Sequence, residues 1–133
     1  LTCKTRVQWQ GELPAGSAID TQYLIGAIPV DKILRITACS YYGGDAGERY
    51  LVNAVPAGIV VEGTTFDATN GSVNLIYPLG GGTYAVEHPV NSLTENLGIS
   101  PMLIAGPCSL SVSCQAESSA ALHVTILGIL EDM

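Results

Sequence analysis

Along most of the chain apolar and polar residues alternate with period 2, the pattern of strands that bury one face. In CKTRVQW, Cys3, Thr5, Val7 and Trp9 share one side, and Lys4, Arg6 and Gln8 share the other. KILRITACSYY sets Leu34, Ile36, Ala38 and Ser40 against Ile33, Arg35, Thr37 and Cys39. CSLSVSC sets Cys108, Leu110, Val112 and Cys114 against Ser109, Ser111 and Ser113. With DTQYLIGAIP, RYLVNAV, IVVEGTTF, SVNLIYPL, TYAVEHPV, MLIA and ALHVTILGIL, this predicts about ten strands. Loops and turn chemistry separate them: GELPAGSA, GGDAGE, VPAG and DATNGS, where Asn70-Gly71 suits the positive φ of a hairpin. The only helical signal is VNSLTENLG, one turn capped by Asn91 or Ser92 and ended by Gly98.

Short strands punctuated by Gly and Pro predict an all-β chain, an antiparallel β-sandwich or a closed barrel. One domain is expected over residues 1–133, with Val7, Trp9, Leu34, Ile36, Leu110, Val112, Leu122, Val124 and Ile126 in its core. The last strand departs from simple alternation. Leu122, Val124 and Ile126 form an inner row, yet Leu127, Ile129 and Leu130 add apolar residues beyond it. A strand apolar on both faces must be covered on both. A subunit contact is therefore expected at Leu127, Ile129 and Leu130, with Ser109, Ser111 and Ser113 as a small-residue face permitting close sheet approach.

Composition sharpens this picture. Charged residues make up 13% of the 133, and 47% are hydrophobic. That is far from the low hydropathy and high charge of a disordered chain, and it agrees with surface covered by other protein. Formal net charge is −7, and all five basic residues (Lys4, Arg6, Lys32, Arg35, Arg49) lie in the first 49. A phosphate backbone needs clustered cations along its length, so no direct nucleic-acid binding is expected. The uncharged runs 68–86 and 96–116 are broken by Pro78 with Gly80–Gly82, and by Pro101, Gly106 and Pro107, so neither predicts a membrane helix. Eight scattered aromatics do not form the girdles of a membrane barrel. No secretory signal is recognisable, and a chain starting at Leu1 is expected to be a mature product.

Candidate chemistry is sparse. Cys3, Cys39, Cys108 and Cys114 show no C-x-x-C spacing, and Cys108 and Cys114 lie too far apart on one straight strand to be bridged. Buried thiols are expected, with a cross-strand bridge from Cys3 or Cys39 to one of the later pair as the alternative. His88 and His123 are the only histidines, and no G-x-S-x-G elbow accompanies them. Neither a catalytic set, a metal site nor a cofactor is expected. Asp45 with Glu48, and Asp67 with Asn70, lack the dense acidic spacing of a calcium loop. Asn70-Gly71-Ser72 matches a glycosylation acceptor but equally makes a tight turn. The loop SYYGGDAGERY gathers Tyr41, Tyr42, Asp45, Glu48 and Tyr50, a set suited to a protein partner or a glycan.

The VPAG turn, the glycine-rich PLGGGTYAV, the pair MLIAGPCSLSVSCQ and the closing SSAALHVTILGIL resemble the small β-sandwich or jelly-roll proteins of virions. These include decoration or cement proteins of tailed-phage heads, and tail-associated domains. The resemblance implies jelly-roll-like winding of a sandwich. It further implies a non-enzymatic structural protein at the capsid surface, homo-oligomeric and trimeric, touching the major capsid or another virion protein. The competing class is a secreted or surface-displayed lectin-like module that binds carbohydrate.

Overall fold

The computed structural model describes residues 4–58, 61, 64–65, 73–76, 82–89 and 102–133, with backbone only at 64–65 and 82–89. Ten strands occur among them: β1 (Lys4–Leu13), β2 (Thr21–Ile28), β3 (Lys32–Gly43), β4 (Tyr50–Pro56), β5 (Thr64–Thr65), β6 (Val73–Ile76), β7 (Gly82–Pro89), β8 (Leu103–Ala105), β9 (Cys108–Cys114) and β10 (Leu122–Asp132). Each falls on a strand segment expected from the sequence, except that β1 runs on through Gly11, Glu12 and Leu13, where a loop is expected, because these residues pair with Val124, His123 and Leu122. No helix is present among the described residues. The helical turn expected at 90–98 and the Asn70-Gly71 hairpin lie outside the described residues.

The strands form two antiparallel sheets, ordered β1-β10-β3-β7 with β8 also on β3, and β5-β2-β9-β4-β6. The short β5 and β8 are additions to an eight-strand plan. In that plan β1 pairs β10, β2 pairs β9, β3 pairs β7 and β4 pairs β6, with successive pairs falling in alternate sheets. One long hairpin rolled around a common core produces this order, the topology of a jelly roll. The expected all-β, jelly-roll-like sandwich is the observed fold.

The core lies between the sheets. Leu34, Ile36, Leu110, Val112, Leu122, Val124 and Ile126 are fully enclosed, and Val7 and Trp9 pack on the core from its border. Leu13, Ile28, Tyr50, Val52 and Cys39 are among the residues that join it. At about 25 cal/mol per Å² of apolar surface removed from water, such side chains contribute roughly 1.5–3 kcal/mol each.

The alternation fails at one informative place. Leu127 pairs with Ala38 and Gly128 with Ile36, so Thr37 is an extra residue in β3, a β-bulge. Its hydroxyl donates to the Leu127 carbonyl at 3.1 Å. The bulge reverses the parity of β3, so Cys39 and Tyr41 are buried instead of Ala38 and Ser40. Strand β10 keeps its own parity throughout. Leu130 therefore continues the inner row and packs against the core, which removes it from the expected subunit contact.

Candidate functional site: the outer face of the β1-β10-β3 sheet

The two sheets differ in what lies on their outer faces. Strand β9 is central in its sheet, between β2 and β4. Ser111 and Ser113 are 0% exposed within the single chain. Ser111 Oγ donates to Gln22 Oε1 at 2.7 Å, and Asn53 Nδ2 donates to Ser113 Oγ at 3.1 Å. Gln22 and Asn53 are buried with them. These serines belong to an internal polar row, so they leave the set of expected contact residues; Ser109 at the end of that row is half-buried. The bland alternation of the sequence held no signal for this, because the partners come from strands about 60 and 89 residues away.

The outer face of the other sheet is open. Lys4, Arg6, Gln8, Gln10 and Glu12 run along β1, each exposed. Opposite them on β10 stand Glu131, Ile129, Leu127, Thr125 and His123. On β3 the row is continued by Ile33, Arg35, Ala38, Ser40 and Tyr42. Leu127, 37% exposed, sits at the middle of the face with Ile129 beside it. A groove of about 470 Å³ opens there between Arg6, Gln8, Thr37, Leu127 and Ile129.

Charge is sorted along this face. Lys4 and Arg35 both approach Glu131, at 3.9 and 3.4 Å, and at the same end of the sheet, off this face, Lys32 pairs with Asp132. Four of the five basic residues of the chain thus gather at one end of one sheet. Arg6 has no carboxylate partner among the described residues. At the opposite end His123 stacks on Tyr42 with ring centroids 4.6 Å apart and interplanar angle 14°, and its Nε2 lies 3.8 Å from Glu12. Gln10, Glu12, Tyr42, His123 and Thr125 border a polar depression of about 240 Å³.

The tyrosine loop is divided by the fold. Tyr41 and Tyr50 are buried, whereas Tyr42 is 43% exposed and Glu48 is solvated. The Asp45 amide donates to Tyr50 Oη at 2.7 Å, and Tyr50 Oη lies 2.7 Å from Ser118 Oγ. Ser118 Oγ donates to the Ala120 carbonyl at 2.6 Å, so the tyrosine supplies the proton of the link between them. The Asp45 carboxylate accepts from Ser119 Oγ at 2.6 Å and from the Ser119 amide at 2.8 Å. Those bonds from Ser119 hold its carboxyl below the usual carboxylate range. Gly44 makes this closure feasible: its φ is +74°, and a Cβ there would lie 2.7 Å from the Tyr50 ring. Asp45 and Tyr50 are loop-to-loop fasteners. Tyr42 alone of the three tyrosines is available to a partner.

The cysteines Cys39, Cys108 and Cys114 are free thiols, and Cys3 lies outside the described residues. Burial pushes Cys39 up to about 12 and raises Cys108 and Cys114. Among the described residues no group of three or more His, Cys, Asp or Glu could hold a metal ion, and no helix is long and apolar enough to cross a membrane. No family model matches the chain, and no curated protein matches it in sequence.

Proposed function

We propose that the protein is a non-enzymatic structural component of a virion, a decoration or cement protein that assembles with itself and docks on the major capsid or another virion protein. A single observation carries the reading. Leu127 and Ile129 stand exposed or half-exposed at the middle of an open sheet face, while Ser111 and Ser113 at the middle of the opposite sheet are closed within the chain. An exposed apolar patch on a sandwich of low charge marks a contact surface. The jelly roll is a fold shared by capsid proteins and lectins, and the open apolar face supports the capsid reading of the two. His123 has an aromatic ring and a carboxylate as neighbours, an arrangement suited to holding a surface. The resemblance to phage-head proteins implies three copies around a local axis.

Electron microscopy of the native assembly tests the proposal. Repeated copies of the sandwich on a particle surface are the expected result. A chain isolated free of any particle and unable to join one would overturn it.

One observation favours the lectin-like alternative. Tyr42 lies beside Gln10, Glu12 and Thr125 around a shallow polar depression, which combines an aromatic surface with amide and carboxylate groups. A glycan array separates the two readings, since strong retention of one sugar class that Tyr42→Ala abolishes would favour carbohydrate binding.

A further inference from the structure

The open face carries an ordered pattern along the strands. Arg6 and Ile129 form one cross-strand pair, Gln8 and Leu127 the next, and Gln10 and Thr125 the next. Beyond them Lys4 pairs with Glu131 at one end, and Glu12 with His123 at the other. About the level of Leu127 the β1 row is antisymmetric: cations on one side, neutral amides at the centre, a carboxylate on the far side.

We propose that this face binds a second copy of the chain across a two-fold axis that runs across the strands at the level of Leu127, in the plane between this sheet and the same sheet of the second copy. Such an axis reverses the strand direction and turns the face onto itself. Leu127 then meets Leu127 of the second copy, the cationic end carrying Lys4 and Arg6 lies over Gln10 and Glu12, and Glu131 lies over His123. Successive same-face residues are about 6.7 Å apart along a strand. Arg6 therefore lies about 7 Å from the axis and Glu12 about 13 Å on its other side, a difference that an arginine side chain spans. The inference deepens the assembly reading above and rests on it. It is compatible with a trimer built through another face, since a two-fold contact of this kind would join such trimers in pairs.

Three observations select a second copy as the occupant. Arg6 has no partner carboxylate among the described residues. Among the described residues Glu12 has only a histidine as ion-pair partner, at 3.8 Å, which attracts it only when protonated. An acidic chain of net charge −7 repels itself at most approaches. Only where the cationic end of the sheet is brought over an acidic one does self-association gain from charge, and this face holds both ends in register. The central groove, about 470 Å³, is bordered by Arg6, Leu127 and Ile129, and so receives the apolar side chains of the facing copy.

The test is a charge swap read by sedimentation over a range of concentrations, with far-ultraviolet dichroism confirming that each variant is folded. Wild type is expected to dimerise. Arg6→Glu and Glu12→Arg should each weaken dimerisation by roughly tenfold or more, because each places like charges opposite one another. The Arg6→Glu/Glu12→Arg double variant should recover most of the loss, because the swap restores opposite charges across the axis. A wild type that stays monomeric at every concentration overturns the two-fold contact. So does an association that neither single reversal changes, or a double variant no better than the single ones. In those cases microscopy of the particle still decides the assembly reading separately: copies seen on a particle would uphold it with this contact removed.

Discussion

The indole of Trp9 occupies the space that a side chain at position 26 would need: a Cβ on Gly26 would lie 2.3 Å from its Cδ2. Trp9 comes from β1 in one sheet and Gly26 from β2 in the other, so this contact closes an edge of the sandwich. The chain contains no other tryptophan. Gly26→Ala is expected to destabilise the fold by about 1–3 kcal/mol through overpacking, and Gly26→Val by more. Denaturant titration followed by tryptophan emission measures both, with a red shift in the folded baseline if the indole is displaced. Unchanged midpoints for both variants would show that the indole has room to move aside.

The Tyr50 hydroxyl ties the Gly43–Tyr50 loop to the Ser118 turn. Tyr50→Phe keeps the ring in the core and removes only that oxygen, leaving the Asp45 amide without its acceptor and the Ser118 hydroxyl with its bond to the Ala120 carbonyl alone. The expected cost is about 1–3 kcal/mol, the usual penalty for stranding buried polar groups. Faster hydrogen exchange at Asp45 and across 117–121 should accompany it. A variant as stable as wild type would sink the fastener role.

Acid should loosen the same junction. The Asp45 carboxyl is lowered by its bonds from Ser119. A group depressed in the folded state gives stability that is complete above its unfolded value and is lost as pH falls through the folded one. The contribution is therefore full at neutral pH, begins to be lost near about pH 4 and is gone once pH has fallen below the folded value. Asp45→Asn should flatten the fall in stability between about pH 5 and pH 2 relative to wild type. Identical acid profiles would exclude a part for this carboxylate.

Cys39 should be silent to thiol reagents in the folded protein at pH 8, since burial pushes its thiol up to about 12. Half-buried Cys108 should react first among the three described thiols. Because the folded value lies above the unfolded one, the Cys39 contribution is complete below about pH 9. It is lost as pH rises toward 12, at about 1.4 kcal/mol per unit. Cys39→Ala should reduce the alkaline slope of stability, which urea titrations at pH 8, 9 and 10 would reveal. Rapid native labelling of Cys39 would contradict its enclosure.

Leu127→Asp should leave the isolated subunit folded, because Leu127 projects from the outer side of β10. The same change should abolish self-association: an unpaired carboxylate buried in an interface costs several kcal/mol. Dichroism and sedimentation of the one variant give both halves of the answer. Unfolding of the subunit would assign Leu127 to the intramolecular core instead.

Strand positions and the inner rows of β9 and β10 were legible in the sequence because a strand with one face on the core sets apolar side chains at every second residue. Leu110, Val112, Leu122, Val124 and Ile126 obey that rule without exception. The same local rule exposed the excess apolar residues Leu127 and Ile129, and the Gly- and Pro-rich turns marked where strands stop. Tertiary structure decided the rest, since each remaining feature depends on a strand distant in sequence. The bulge at Thr37 reversed the faces of β3, because β10 pairs across it with one residue fewer. Ser111 and Ser113 are interior because β9 falls between β2 and β4, whose Gln22 and Asn53 supply polar partners. Three tyrosines in one loop look equivalent in sequence, yet Ser118 and the core claim Tyr50 and Tyr41, while pairing beside His123 leaves Tyr42 outside. The sorting of charge along the open face arises the same way, from residues near both ends of the chain that only antiparallel pairing of β1 with β10 aligns. Period-2 burial is a local property that one strand records by itself, whereas register and sheet order are relations between strands, and no single segment carries them.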